Sequence, residues 1–587
     1  MNASLNYLTR TVIWLPLVFL LAACSQAATE IPTATLAPTL PPAPTSTPPP
    51  TATTAATATT SQQDSVLREG EPLPVKTSDL FSTSGSCSIC HTNMTSSSGE
   101  IISLDYTWRG SMKANAARDP YFLATVRSEL NEFPDLASTI EDKCATCHMS
   151  MARTMAVESG EPVSILDEDG FLNPENELHL FAVDGVSCTL CHQIQETNLG
   201  NDSSYSGGFV IDTITEKPDR VIFGPYTTDA AEASLMQSSS GFIPEKTEHL
   251  SRAALCATCH TLYTPFIDSA GNIAGEFPEQ MPFFEWFYSD IRRTQTCQDC
   301  HMPEVEGGVR ISNLSQTLRS PFSKHSFVGG NAYMLGILDD FGDELGVTAS
   351  TEHFDDAIAR TLDQLQNSTA EIEVENIQLL GNRVIADVLI TNLAGHKFPT
   401  GFPSRRTWIH VTLQDANGDV LFESGAYGDD GRIAGNANDD DPDQYEPHYD
   451  GIVQADQVQI YEAILRDMEN SVTTRLLRAA GYLKDNRLIP AGFEKGAPYE
   501  DIAVRGRARD DVNFVDGVDR IQYSMAFESA ESPLRLTVEL VYQSIGYRWA
   551  ENLRGIEGEE IQRFTRYYDA TPNLPVVIDS VEIEIGG

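Results

Sequence analysis

The chain has 587 residues, with 84 Asp and Glu against 39 Lys and Arg, for a formal net charge of −45. A surface this acidic repels nucleic-acid phosphate, which excludes nucleic acid as a partner and draws in proteins with basic patches. The length suits two or three domains, and no segment after residue 23 has 18 consecutive apolar residues, so the body is expected to be soluble.

At the amino terminus, Arg10 precedes an apolar stretch from Val12 to Ala23, which ends in Leu21-Ala22-Ala23-Cys24. Residues 1–23 therefore read as a signal peptide closing on a lipobox, too short for a comfortable membrane span. The segment resembles the leaders of bacterial lipoproteins. That resemblance implies diacylglycerol on Cys24, cleavage just before it, and anchoring on the extracytoplasmic face of the cell membrane or on the outer membrane. Residues 24–70 are rich in Thr, Pro and Ala, as in Thr45-Ser46-Thr47-Pro48-Pro49-Pro50. This composition cannot bury a core and is expected to be a disordered stalk. In polyproline form the 34 residues 28–61 could reach roughly 100 Å.

From residue 71 to 345 the sequence is dominated by one repeated pattern, Cys-x-x-Cys-His. It occurs as Cys87-Cys90-His91, Cys144-Cys147-His148, Cys188-Cys191-His192, Cys256-Cys259-His260 and Cys297-Cys300-His301, and it uses ten of the eleven cysteines. Two thiols one helical turn apart can add across the two vinyl groups of a haem, and the adjoining His can sit beneath the iron. Zinc sites would combine such pairs two by two and would not need His after each one; five pairs cannot all combine in twos. Five covalently bound haem c groups are therefore expected, with the five motif histidines as proximal ligands. Helices are expected from Pro134 to Met149 and from Pro282 to Thr294, each with Pro in its first turn. The loops between them are rich in Gly, Ser and Asp, giving a loop-rich, mainly helical pentahaem domain.

Residues 346–587 change pattern. Thr351 to Gln366 carries Phe354, Ile358, Leu362 and Leu365 near helical spacing. Period-two alternation follows: Ile372 and Val374; Val384, Ala386, Val388 and Ile390 after a Gly381-Asn382 turn; Ile409, Val411 and Leu413 before Asn417-Gly418; Val420 and Phe422; Leu534 to Tyr542; and Val581 to Ile585. These predict an antiparallel β-sandwich-like domain, with a helical insertion over Gln457 to Lys484. The overall fold class is α+β.

Each iron needs a sixth ligand or keeps an open position. Seven histidines lie outside the motifs, enough for imidazole on both faces of every haem. Several segments resemble multihaem cytochromes of the cytochrome c-554 type: Asp184-Gly185-Val186-Ser187 with the third motif, Thr296 to Pro303 with the fifth, Trp108-Arg109-Gly110-Ser111-Met112, Lys324-His325-Ser326-Phe327-Val328-Gly329-Gly330, and Gly395-His396-Lys397-Phe398-Pro399-Thr400-Gly401. The resemblance runs from about residue 75 to 425. His325, in a Gly-flanked loop, and His396, in a rigid loop between two strands, lead the distal candidates. His249 and His179, each shortly before a motif, and His448 follow. Met112 is a further candidate, and its alternative is a core methionine. Lys113 could ligate only after losing its proton. His353 is expected on a polar helix face and His410 on a sheet face. The acidic loop around Asp439-Asp440-Asp441 is expected to be solvated.

A closely spaced array of haems points to electron transfer between a membrane oxidoreductase and an external or soluble redox partner, with no substrate conversion. The alternatives are an oxidoreductase acting on a small nitrogen or sulfur species at an open haem, and a subunit of a haem filament.

Overall fold

The computed structural model describes residues 68–496 and 499–586, so the signal peptide, Cys24 and the stalk up to residue 67 lie outside it. From residue 68 the chain runs through short helices joined by long loops. Pro120–Glu132 is one of the longer ones. Asp119 caps it, accepting from the Tyr121 and Phe122 amides at 2.9 and 3.2 Å, and Pro120 supplies the preset first turn. A 3₁₀ turn over Pro134–Leu136 leads into Ala137–His148, close to the expected helix. Pro282–Phe287 is shorter than expected, and a 3₁₀ turn, Ile291–Arg293, follows it.

The region expected to be mainly helical also contains four two-stranded sheets. Leu262–Ile267 pairs with Ile273–Gln280, Arg220–Gly224 with Phe242–Lys246, Glu304–Val305 with Phe322–Ser323, and Val309–Arg310 with Leu318–Arg319. The first hairpin turns where Asp268 accepts from the Ala270 and Asn272 amides and Gly271 takes a φ of 84°. Four of these eight strands have only two residues each, too few to register as period two.

Two larger sheets form a sandwich. One has four strands in the order Gly451–Ile452, Val518–Ala526, Arg383–Asn392, Ala370–Leu379. The other has seven, with Arg406–Gln414 and Leu534–Gln543 at its centre. Val384, Ala386 and Val388 stand opposite Met525, Tyr523 and Ile521, while Ile409, Val411 and Leu413 stand opposite Leu540, Val538 and Leu536. All twelve are buried in one core between the sheets, as alternation demands when one face of each sheet is covered.

The stretch Gln457 to Lys484, expected as a helical insertion, is β structure. Ile460–Arg466 pairs with Arg406–Gln414 on one side and with Gly481–Asp485 on the other. Its residues Ile460 to Leu465 are all buried, so the strand reads as an unbroken run with no alternation to betray it. Glu462 within that run is balanced by Lys484 at 2.9 Å.

The sandwich core does not stop at its own sheets. Tyr205, Ala253, Ala257, Met281, Phe283 and Phe284 belong to the same cluster as the sandwich strands. A second cluster joins Tyr121 and Ala124 to Phe564 and Tyr568 of the helix Glu559–Ala570, tied outside by Arg127 to Glu560 at 2.8 Å. Val66–Gly587 accordingly form one compact unit. The change of pattern near residue 346 marks a change of secondary structure within shared packing.

Candidate metal centres at the five motifs

Each motif occupies one helical turn. The amides of His91, His192 and His260 donate to the carbonyls of Cys87, Cys188 and Cys256 at 3.1, 3.1 and 2.9 Å. The second motif ends the helix Ala137–His148, and the fifth forms Cys297–His301, started by a Thr296–Asp299 capping box. One turn places the first Cys and the His on the same face. None of the ten motif cysteines is in a disulfide. The motifs also gather: the side chain of Cys87 lies near that of Cys188, Cys147 near Cys259, and Cys256 near Cys297. The first motif thus neighbours the third, and the fourth neighbours both the second and the fifth.

The histidines divide by what their ring nitrogens do. Nδ1 faces a backbone carbonyl in His91 (Ile311, 2.6 Å), His148 (Ala116, 3.0 Å), His192 (Phe223, 2.7 Å) and His301 (Val328, 2.6 Å). The same holds for His179 (Phe171, 2.9 Å), His325 (Ser323, 3.1 Å) and His396 (Lys397, 2.8 Å). A carbonyl can only accept, so Nδ1 carries the proton and Nε2 keeps its lone pair. This is how metal-ligating histidines are held. Burial, and then the neighbouring imidazole, lowers both His325 and His301 to about 4. Both are therefore neutral at ordinary pH, as a ligand must be.

Two pairs of these rings face each other. His192 and His325 have centroids 6.2 Å apart and planes 12° from parallel; for His301 and His396 the values are 6.2 Å and 8°. Rings in contact lie much closer, as Phe122 does on His148 at 3.6 Å. Two imidazoles bound to one metal through bonds of about 2.0 Å hold their centroids roughly 6 Å apart, so each pair has the spacing of a metal held between two histidines.

His396 reaches its partner because the loop after strand Arg383–Asn392 is pinned on both sides. Asn392 Nδ2 donates to the carbonyls of His396 and Leu488, both at 2.9 Å. Gly395 lies against Trp286 and Ile291, where a Cβ would come within 2.3 Å of the Ile291 side chain. Next to His396, buried Lys397 meets Asp485 at 2.6 Å, and Arg487 bridges Asp485 (2.8 Å) and Glu285 (3.0 Å). Burial raises Asp485, but Arg487 and Lys397 outweigh it and hold the carboxyl far below its usual range.

Other candidates are engaged elsewhere. His249 donates from Nε2 to the Ile194 carbonyl at 2.8 Å and accepts on Nδ1 from Thr247 at 2.5 Å. His448, inside the sandwich, accepts on Nδ1 from the Gln459 and Asn486 amides and donates from Nε2 to Asp511 at 3.0 Å. Both nitrogens of each ring are hydrogen-bonded to protein groups, unlike those of His325 and His396, and neither ring faces a motif histidine among the described residues. Met112 packs its side chain on the apolar cluster around Phe354 and Phe564. His353 is part-buried in the cap of helix Thr351–Ser368, where its Nδ1 accepts from the Ser350 amide at 3.0 Å. His410 lies on the sheet between Glu539 and Glu423, at 2.9 and 3.1 Å. In the acidic loop, Asp439 is buried and grips Arg406 with both oxygens, at 2.8 and 3.0 Å, in place of the expected solvation.

His260 departs from the other motif histidines. Its Nε2 meets Lys113 Nζ at 3.3 Å, and no second ring pairs with it among the described residues.

The donor set fits c-type haem. Each motif offers two thiols and an imidazole on one helical turn, and two motifs have a second imidazole at coordinating distance. Among the described residues the only group of three metal-capable side chains that converges is His448, Asp511 and Asp519, so no two motifs build a four-ligand zinc cage. No helix of the described residues is long and apolar enough to cross a membrane.

No protein-family model and no curated protein matches the chain. Among solved structures it is similar to a penta-heme cytochrome c552 from Thermochromatium tepidum, at 17% identity and a TM-score of 0.47, over 82% of this chain and 96% of that one.

Proposed function

We propose that this chain is a pentahaem c-type cytochrome, lipid-anchored through Cys24 outside the cytoplasm, that carries electrons between a membrane oxidoreductase and a soluble or external redox partner. The observation that carries the reading is the pair of facing imidazoles, His192 with His325 and His301 with His396, each with a motif histidine on one side. Haem bound at the motifs would supply one-electron iron chemistry whose potential follows axial ligand, burial and nearby charge. The residues' part is to hold that chemistry still. The ten thiols fix the groups covalently, the backbone carbonyls fix the imidazole tautomer, and the shared core keeps the five motifs adjacent. Imidazole on both faces closes a metal to substrate and favours electron passage over conversion. The net charge of −45 favours a redox partner with a basic docking face.

The test is the mature protein purified from a host that attaches haem c. Its mass should include five covalent haems, and a potentiometric titration should show reversible one-electron steps with mostly low-spin spectra. Colourless protein, or a mass short of five haems, would overturn the proposal.

A further inference from the structure

The fourth motif has no imidazole opposite its histidine. What stands there is the amine of Lys113, 3.3 Å from His260 Nε2. Lys113 belongs to none of the motifs and is placed by its backbone. Its carbonyl accepts from the Val186 amide at 2.9 Å, and Trp108 Nε1 donates to the Val186 carbonyl at 3.1 Å. Gly185 packs so tightly on this turn that a Cβ there would lie 2.5 Å from the Lys113 carbonyl oxygen. Asn115 closes the turn from below, donating to the Arg109 and Ser111 carbonyls, both at 3.0 Å. The segment is thereby locked to the loop that begins the third motif, with its lysine directed at the fourth.

The surroundings of the amine are unusual for this chain. The sequence holds 84 carboxylates, yet among the described residues none lies within ion-pairing distance of Lys113. Its other neighbour is the face of Phe327, 5.7 Å away. The polar partner of this amine is thus the imidazole nitrogen of the fourth motif, the atom that would face a metal.

We propose that Lys113 is the second axial ligand at the fourth motif, opposite His260, so that this centre has amine and imidazole where the third and fifth motifs have two facing imidazoles. The inference rests on the cytochrome reading above. Coordination uses the free amine, and the ammonium proton passes to solvent. An amine in place of an imidazole gives this centre a potential of its own, and the fourth motif neighbours both the second and the fifth. Lys113 would therefore set the level of the junction in the array.

Three full-length variants and the wild type decide it. Lys113→Ala and Lys113→Arg should keep five haems by mass but convert one of the five to high spin by electron paramagnetic resonance. Lys113→His should restore the wild-type proportion of low-spin haem. In the wild type, near-infrared charge-transfer bands should include one amine–imidazole component beside the imidazole–imidazole ones, a readout that does not depend on any variant folding. Unchanged spin states in Lys113→Ala, wild-type spectra in Lys113→Arg, or no amine–imidazole band would overturn the assignment. A protein that lacks five haems would sink the cytochrome reading itself, whereas five haems with an unaltered Lys113→Ala spectrum would sink only the ligand.

Discussion

The rings of His301 and His396 lie 6.2 Å apart and 8° from parallel, although one ends the last Cys-x-x-Cys-His motif and the other comes from a loop of the sandwich. The sandwich therefore contributes to the site directly. Asn392, Gly395 and the Lys397–Asp485–Arg487 cluster fix the loop that delivers His396.

His396→Ala should convert one haem from low to high spin while leaving all five attached, because attachment depends on the thiols and not on the distal ring. His325→Ala should do the same at the third motif, and the double variant should show two such haems. Electron paramagnetic resonance with mass spectrometry checks this; spectra identical to wild type in either single variant would remove that ring from coordination.

His448→Gln and His249→Gln should leave the haem spectra untouched, since both nitrogens of each ring are already hydrogen-bonded. Their cost should appear in stability, about 1–3 kcal/mol each by denaturant unfolding, from buried partners left unpaired. A new high-spin signal in either variant would contradict the assignment.

Cys256→Ala should lower the mass by one haem, or leave one haem held by a single thioether. It should also destabilise its surroundings, because Ala253 and Ala257 on the same turn are part of the core shared with the sandwich. Full haem content with two thioethers per haem would refute the role of Cys256.

His410 offers a pH test. Burial lowers its pKa, but hydrogen bonds to Glu539 and Glu423 more than compensate, so the folded value lies above the ordinary one. A raised folded value means that the imidazolium stabilises the fold fully below the unfolded pKa of about 6.5 and that this is lost as pH rises through the folded pKa. The difference in thermal midpoint between wild type and His410→Gln should shrink as pH climbs from about 6 to 9. A constant difference would show that the two carboxylates do not hold the proton.

Asp485→Asn should be severe. It strips the carboxylate from Lys397 and leaves Arg487 with Glu285 alone, all of them buried, and should cost about 3–5 kcal/mol in chemical denaturation. A loss under about 1 kcal/mol would mean that water reaches the cluster.

The five attachment turns are plain in the sequence because each is five contiguous residues, and the strands at Val384–Ile390 and Leu534–Leu540 are plain because one face of each is buried. The wholly buried stretch Ile460–Leu465, Glu462 included, shows no alternation and hid its strand, and helix Pro120–Glu132 is marked only by its Asp-Pro start. What sorts the histidines is further from view. The carbonyls that orient His91, His192 and His301 belong to Ile311, Phe223 and Val328, distant in the chain and with no side-chain signature. No spacing rule could separate His396 from His448; only the fold shows which ring has a nitrogen to spare. Lys113 was visible as a residue type, but its position depends on the Gly185–Val186 turn.

The origin of His396 in the sandwich also sets an order of assembly. If the chain is exported as proposed, the fifth motif would emerge well before the strands that flank His396, and haem would be attached to those thiols while the carboxy-terminal half is still unfolded. The final imidazole would click into place only when the two sheets close, making completed coordination a report that the whole chain has folded. On the proposed function, a protein truncated ahead of that loop would be pigmented yet unfinished, lacking the ring that faces His301.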